Sequence, residues 1–272
     1  MVLQRMAIAV VRKAIELIAR IPLDFHECVI CGRSFARFLP YRGGRRGMPP
    51  LMRTLDFVGS DVNNFSCPWC YSHDRERHLF LFMRAAGLFS FITGKRVLHF
   101  APEMHLSRLI EAAGPEVLIL GDLHPWSSGM LKIDLLELPY TNDYFDLLIA
   151  NHVLEHVEDD KRAMREIARV LKPGGYAILQ TPYSEVLDRT WEDSGIRSEQ
   201  ARLEAFGQED HARLFGRDVF ERFTQQGLES KVKFHDELLA GYCSRRFGFN
   251  EREPFFLFAK PQFLSDSTIL AK

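Results

Sequence analysis

The sequence predicts an α/β chain: a mostly parallel sheet with helices on both faces, preceded by a small cysteine-bearing module. Three observations carry this. From residue 96 onward, short apolar runs alternate with stretches of helical spacing, the pattern of β–α–β units. Before that point, Cys28-Val-Ile-Cys31 and Cys67-Pro-Trp-Cys70 form two CxxC pairs. The two parts also differ in charge. Residues 1–95 hold 14 Lys or Arg against 7 Asp or Glu, and the remaining 177 hold 21 against 29.

The 272 residues sum to a net charge of −1, which argues against binding nucleic acid through overall charge. An apolar share of 46% excludes intrinsic disorder. Runs of about 18 uncharged apolar residues are missing, so no membrane-spanning helix is expected. Five cysteines in a chain this long do not make a disulfide scaffold. The expected location is cytoplasmic.

Residues 1–27 begin with an amphipathic helix, because Met6, Val10, Ala14, Leu17, Ile18 and Ile21 recur at spacings of three and four. Arg12 and Lys13 interrupt its apolar stretch, which disfavours a secretory signal. It packs on its own protein or, as the alternative, lies on a membrane surface. The basic front end could also meet an anionic partner such as phosphate, a lipid headgroup or nucleic acid. Residues 28–70 form the cysteine module. Two short knuckles can turn Cys28, Cys31, Cys67 and Cys70 toward one point, the arrangement of a tetrahedral Zn²⁺ site. Four thiolates leave no open position, so this Zn²⁺ is structural. A redox use of Cys67 and Cys70 fits less well, since CPWC does not sit between a strand and a helix. Reduced thiols without metal are the third reading. Cys243 reads as a small core residue.

Residues 71–95 read as a connecting helix and 96–260 as the main domain, with 261–272 as a tail. Strands are expected at Arg96–Ala101, Val117–Leu120, Phe145–Ala150, Tyr176–Gln180, near Lys231–Phe234 and at Phe255–Ala259. A helix capped by Asp159 or Asp160 carries Met164, Ile167, Ala168 and Leu171 and stops at Pro173-Gly174-Gly175. In such a sheet, ligands bind at the carboxyl ends of the strands, where strand order reverses. The strand-end residues are therefore Ala101, Glu103, Asp122, Asn151 and His152. Asp122 lies 21 residues past Ala101, the spacing of a ribose-binding carboxylate.

The stretch LKIDLLELPYTNDYFDLLIANHVLEHVEDDKRAMREIARVLKPGGYAILQTP resembles the middle of a class I S-adenosylmethionine-dependent methyltransferase of the type 11 kind. The resemblance covers roughly residues 96–260. It implies a Rossmann-like seven-stranded sheet, a preceding zinc-ribbon-like module and S-adenosyl-L-methionine as cofactor. By the same resemblance Asp122 holds the cofactor ribose, Asp134 accepts from the adenine amino group with Leu135 beside it, and Asn151 lines the methionine end. The first strand departs from the family pattern. His99, Ala101, Glu103 and His105 stand where an acidic residue and glycines are usual, and Glu103 is placed to grip the cofactor ammonium. An NAD-dependent dehydrogenase fits less well, since no G-x-G-x-x-G follows that strand.

Gln208-Glu209-Asp210-His211, followed by Arg213, comes after a strand end, where a second substrate is expected. His211 is the first choice for a substrate-side base or positioning group, with His152 and His156 behind it. The expected acceptor is a small molecule, a lipid-linked group or a glycan. The alternatives are an RNA acceptor gripped by the basic module, or a binding module without catalysis. Neither the acceptor nor the oligomeric state is legible in the sequence.

Overall fold

The structure is a computed structural model and describes residues 13–262. Most of the amphipathic helix expected near the start, and most of the tail, lie outside the described residues. Residues 13–19 are helical.

Seven strands form the central sheet: β1 (Arg96–Phe100), β2 (Val117–Asp122), β3 (Leu131–Lys132), β4 (Phe145–Ala150), β5 (Leu171–Ile178), β6 (Glu229–Ser230) and β7 (Leu257–Ala259). Their spatial order is β6-β7-β5-β4-β1-β2-β3. All neighbours run parallel except β7, which is antiparallel to both β5 and β6. The order reverses between β1 and β4, and that crevice is where a ligand is expected.

The apolar runs do not alternate with polar residues because both faces are covered. Along β4, Leu148 and Ala150 join one core while Leu147 and Ile149 join the other. Val97 and Leu98 of β1 divide the same way. The first core includes α4 (Asp160–Val170), whose Ala163, Met164, Ile167 and Val170 are buried at helical spacing. Asp159 caps that helix, accepting from Arg162 N at 2.9 Å. On the opposite face lie α1 (Asp74–Ala85), α2 (Leu88–Ile92) and α3 (Met104–Ala112).

Several expectations shift. The single connecting helix expected over residues 71–95 is two helices, α1 and α2, broken at Gly87 (φ 71°), and its Leu79, Leu81, Phe82, Met83 and Ile92 are core residues packed on the sheet. The first strand stops at Phe100 because Ala101 turns into the left-handed region at φ 48°. The strand expected near Lys231 is displaced to Glu229–Ser230, with only a single bridge from Lys233 to Phe255. Cys243 is exposed rather than in the core.

The front segment is woven onto the sheet domain. Phe57–Val58 pairs antiparallel with Tyr183–Ser184. Met52 packs with Ala205 and Phe206 of α5 (Glu199–Phe206). Opposite charges face each other across the junction, in Arg42 with Glu209 and in Arg252 with Asp56. Arg77 is fully buried and donates to the carbonyls of Asn64, Phe65, Ser72, Phe247 and Gly248, tying α1 to both segments.

Candidate functional site

The crevice at the carboxyl ends of β1 and β4 is built around Glu103. Its carboxylate accepts from Asn151 Nδ2 at 2.5 Å and meets His99 Nε2 at 3.0 Å. Burial would raise Glu103, but the His99 hydrogen bond and the surrounding positive charge outweigh it and hold the carboxylate below its usual range. Glu103 therefore stays ionised. Asn151 is buried, and its Oδ1 has no hydrogen-bond partner in the protein. A buried acceptor without a donor is costly, and a ligand ammonium or hydroxyl is a group that would satisfy it. Ala101 N donates to Gly121 O at 2.7 Å, which fixes the turn after β1 against β2.

Asp122 ends β2 half-buried, with Oδ1 accepting from His124 N at 2.7 Å. Its Oδ2 makes no hydrogen bond among the described residues. Asp134 is exposed and accepts from Leu136 N at 2.8 Å, and Leu135 beside it is buried in the core. The structure thus places Ala101, Glu103, Asp122 and Asn151 along one edge of the sheet, with Asp134 and Leu135 after β3. These residues fit an adenosyl cofactor bearing an ammonium group.

Next to this crevice is a cavity of about 820 Å³ between the front segment and the sheet domain. Leu39, Tyr41, Met48, Met52 and Phe65 give it an apolar wall. Arg75, His152, Glu155, His156 and His211 give it a polar one. The Nε of Arg75 is buried without a partner.

His152 does not have the environment of a base. It sits at φ 56° between two buried carboxylates, with Nδ1 3.4 Å from Glu155 and Nε2 3.2 Å from Glu253. The second approach is an ion pair whose angle does not suit a hydrogen bond. Burial opposes its charge, but Glu155 and Glu253 prevail and raise the imidazole to about 9. Protonated at neutral pH, it has no lone pair with which to take a proton. The same pairing, working against burial, holds Glu155 and Glu253 at about 2. Glu253 also faces His78 at 3.5 Å.

His211 is 5% exposed and its Nδ1 lies 2.9 Å from Phe206 O. A carbonyl only accepts, so Nδ1 carries the hydrogen and Nε2 keeps its lone pair. Burial lowers His211, so it is neutral near pH 7. Ala212 N donates to Glu155 O at 2.7 Å, and Arg213 donates to the carbonyls of Leu154 and Glu158 at 2.9 Å each. Arg213 thus braces the turn after β4 against the His211 loop and does not face the cavity.

The four cysteines converge. Cys28 and Cys70 are 3.7 Å apart, Cys31 and Cys67 3.9 Å, and all four sulfurs lie within 4.8 Å of one another. A tetrahedron of sulfurs bound to Zn²⁺ at about 2.3 Å has edges of about 3.8 Å. The two knuckles share one geometry. Gly32 N donates to Cys28 O and Tyr71 N to Cys67 O, with Gly32 and Tyr71 at φ 68° and 61°. Burial raises Cys31 to about 12, and a bound cation would favour the thiolate form of the four sulfurs. Ser72 Oγ lies 3.3 Å from both Cys28 and Cys70.

Comparison with known proteins bears on the crevice. Residues 110–179 match the methyltransferase domain family. The ubiquinone/menaquinone biosynthesis C-methyltransferase of Vibrio campbellii is 34% identical over 70 residues, 26% of this chain and 25% of that protein. A malonyl-[acyl-carrier protein] O-methyltransferase of Halorhodospira halophila is 30% identical over 116 residues, 42% of this chain and 36% of that protein. The chain therefore spans well under half the length of these curated relatives. Among solved structures, an N-methyltransferase of Bradyrhizobium japonicum in complex with S-adenosyl-L-homocysteine is 19% identical, with a TM-score of 0.41, over 69% of this chain and 87% of that one.

Sequence reasoning missed Glu155, Glu253 and Arg75 as members of the site. Glu155 sits in the VLEHV turn, next to His156 and three residues after His152, which was a usable signal. Glu253 had none: its partner His152 is distant in sequence.

Proposed function

We propose that this chain is an S-adenosylmethionine-dependent methyltransferase whose acceptor enters the cavity beneath the cysteine module. The observation that carries the reading is the ionised Glu103 paired with Asn151, whose buried Oδ1 lacks a donor, at the point where strand order reverses. The match of residues 110–179 supports it. In this reading Glu103 and Asn151 Oδ1 hold the cofactor ammonium, Asp122 the ribose and Asp134 the adenine edge. Bound there, S-adenosylmethionine supplies a methyl group already activated on a sulfonium. The protein then has to place an acceptor atom in line and keep water out, so orientation accounts for much of the rate.

The cavity volume of about 820 Å³ falls within the usual range for small-ligand sites. A small molecule, or the end group of a lipid-linked or glycan acceptor, fits it. Arg75 Nε is the donor available to an anionic group there. His211 Nε2 faces the acceptor and His152 acts as a fixed positive charge. In the same reading Cys28, Cys31, Cys67 and Cys70 hold one structural Zn²⁺, which supports the wall of the cavity.

The test is a screen of acceptors with labelled methyl donor, followed by His211→Ala on the acceptor found. Turnover should fall at least 10-fold while cofactor affinity changes less than twofold, the pattern of a group acting on the acceptor side. Unchanged turnover would remove His211 from the site. A steep loss of acceptor binding with salt would point to RNA instead.

A further inference from the structure

Among the described residues, one cluster besides the cysteines brings three metal-ligating side chains together: Glu155, His156 and His211. Their ligand atoms lie within 4.8 Å of one another, on the polar wall of the cavity. They come from two loops that Arg213 and the Ala212–Glu155 hydrogen bond fasten together.

Each of the three is held on its far side. His211 Nδ1 donates to Phe206 O, which leaves Nε2 as the ligating atom. His156 Nδ1 faces Asp210 Oδ2 at 3.2 Å, which leaves its Nε2 pointing to Glu155 Oε1 at 4.0 Å. Glu155 Oε2 accepts from Thr181 Oγ1 at 3.0 Å, and Oε1, which also faces His152 Nδ1 at 3.4 Å, is the oxygen turned toward His156. An imidazole anchored through one nitrogen to a carboxylate or carbonyl, with the other nitrogen presented, is the usual support of a metal ligand. The 4.0 Å separation is too long for a hydrogen bond. It is close to the distance between two ligands of one metal, about 3.3 Å for bonds of 2.0–2.1 Å. The two imidazole rings lie close, with centroids 4.7 Å apart and planes at 85°.

The geometry points to a second metal site, in which Glu155, His156 and His211 bind a divalent transition cation of the Zn²⁺ class and leave its remaining positions open to the cavity. Two imidazoles and one carboxylate suit such a cation and do not suit Mg²⁺ or Ca²⁺, which prefer all-oxygen sets. The charge balance allows it. Glu155 and Asp210 bring two carboxylates to the point, and the positive charge of His152 beside it is matched by Glu253. Binding displaces the proton from His156 Nε2 to solvent, while Nδ1 keeps its hydrogen for Asp210. Metal binding stands on these side chains alone. Its use rests on the methyltransferase reading and changes the part of His211 in it: with Nε2 on the cation, His211 acts on the acceptor through the metal, whose open coordination position would anchor an acceptor oxygen and make its hydroxyl more acidic.

The test counts metal on the full-length protein dialysed against micromolar buffered Zn²⁺. Wild type should hold one equivalent more than His211→Gln or His156→Gln. Asp210→Asn, which removes only the outer support of His156, should keep the site with an affinity weaker by about 10- to 100-fold. Co²⁺ in this extra site should give visible bands without the intense thiolate absorption that cysteine ligation brings. Equal metal content in wild type and both histidine variants would overturn the proposal, as would thiolate absorption from the extra equivalent. Cofactor titrations on the same samples read the methyltransferase proposal separately: a loss there with the extra metal intact would overturn that reading and leave this site standing.

Discussion

Replacing Arg77 should be among the most damaging single changes in this protein. Its guanidinium is fully buried and donates to five backbone carbonyls, at 2.5 to 3.3 Å. Its face also lies over the Phe38 ring at 4.2 Å. Burial presses the charge toward neutrality, while Asp74 and the cysteine sulfurs favour it. Arg77→Met keeps the apolar bulk and strands four of the five carbonyls, since Ser72 O still accepts from Cys67 N. An unsatisfied buried acceptor costs about 1 kcal/mol or more, and some relaxation will bring water to part of them. The expected loss is therefore about 3–5 kcal/mol, a large part of the ~5–15 kcal/mol that holds a typical domain folded. Arg77→Lys retains a charge but has only three donors at one point, so it should recover only part of this. The assay is urea unfolding by circular dichroism, run alongside metal release. Two of the carbonyls belong to the segment between the cysteine pairs, and that of Ser72 follows the second knuckle. Metal should accordingly leave at lower denaturant in the variants. An Arg77→Met protein within about 1 kcal/mol of wild type would refute the view that this side chain joins the front segment to the sheet domain.

The His152 cage makes a pH prediction. Glu155 and Glu253, at about 2 against an ordinary 4.5, add stability above pH 4.5 that is lost as the pH falls toward 2. His152, at about 9 against 6.5, adds stability below pH 6.5 that is lost as the pH rises through 9. Thermal melts should show a maximum between these limits, with an alkaline shoulder on the order of 2–3 kcal/mol that flattens in His152→Gln. A wild-type alkaline shoulder retained in that variant would contradict the cage. Cys28→Ser should drop the metal content by about one equivalent and loosen the front segment, as read by limited proteolysis; metal content equal to wild type would remove the cysteines as ligands. At Ala101, already at φ 48°, Ala101→Val should cost about 1–3 kcal/mol and weaken cofactor binding, whereas Ala101→Gly should stay within about 1 kcal/mol of wild type. Equal stability of the two variants would show that the turn carries no strain.

The sheet was legible because its signals are local. FDLLIA is apolar except for Asp146 since helices cover both faces, and Asp159 announces the start of α4 by its own hydrogen bond. The cysteine cluster was legible because two CxxC spacings fix two turns. Positions whose role depends on distant partners were not. Arg77 looks like one more basic residue of the front end until Phe247 and Gly248 are seen to pack beside it. His152 reads as a base until Glu253 is brought next to it from the far end of the domain. The charge contrast between the two parts was visible, but the sequence could not say that part of it is spent on pairs such as Arg42 with Glu209. The departure at Ala101 was visible as a missing glycine; that the chain nevertheless keeps the left-handed turn was not.

The central claim is tested most directly by titration calorimetry of S-adenosyl-L-homocysteine into the purified protein, with Asp122→Ala and Asn151→Ala beside it. The account predicts one site per chain in wild type. Losing a charge-assisted partner should cost about 1.5–3 kcal/mol, which is roughly 10- to 100-fold in affinity for Asp122→Ala. Asn151→Ala should weaken binding as well, since it removes both the support of Glu103 and the unpartnered acceptor. No binding by wild type at millimolar ligand, or equal affinity in all three proteins, would contradict it.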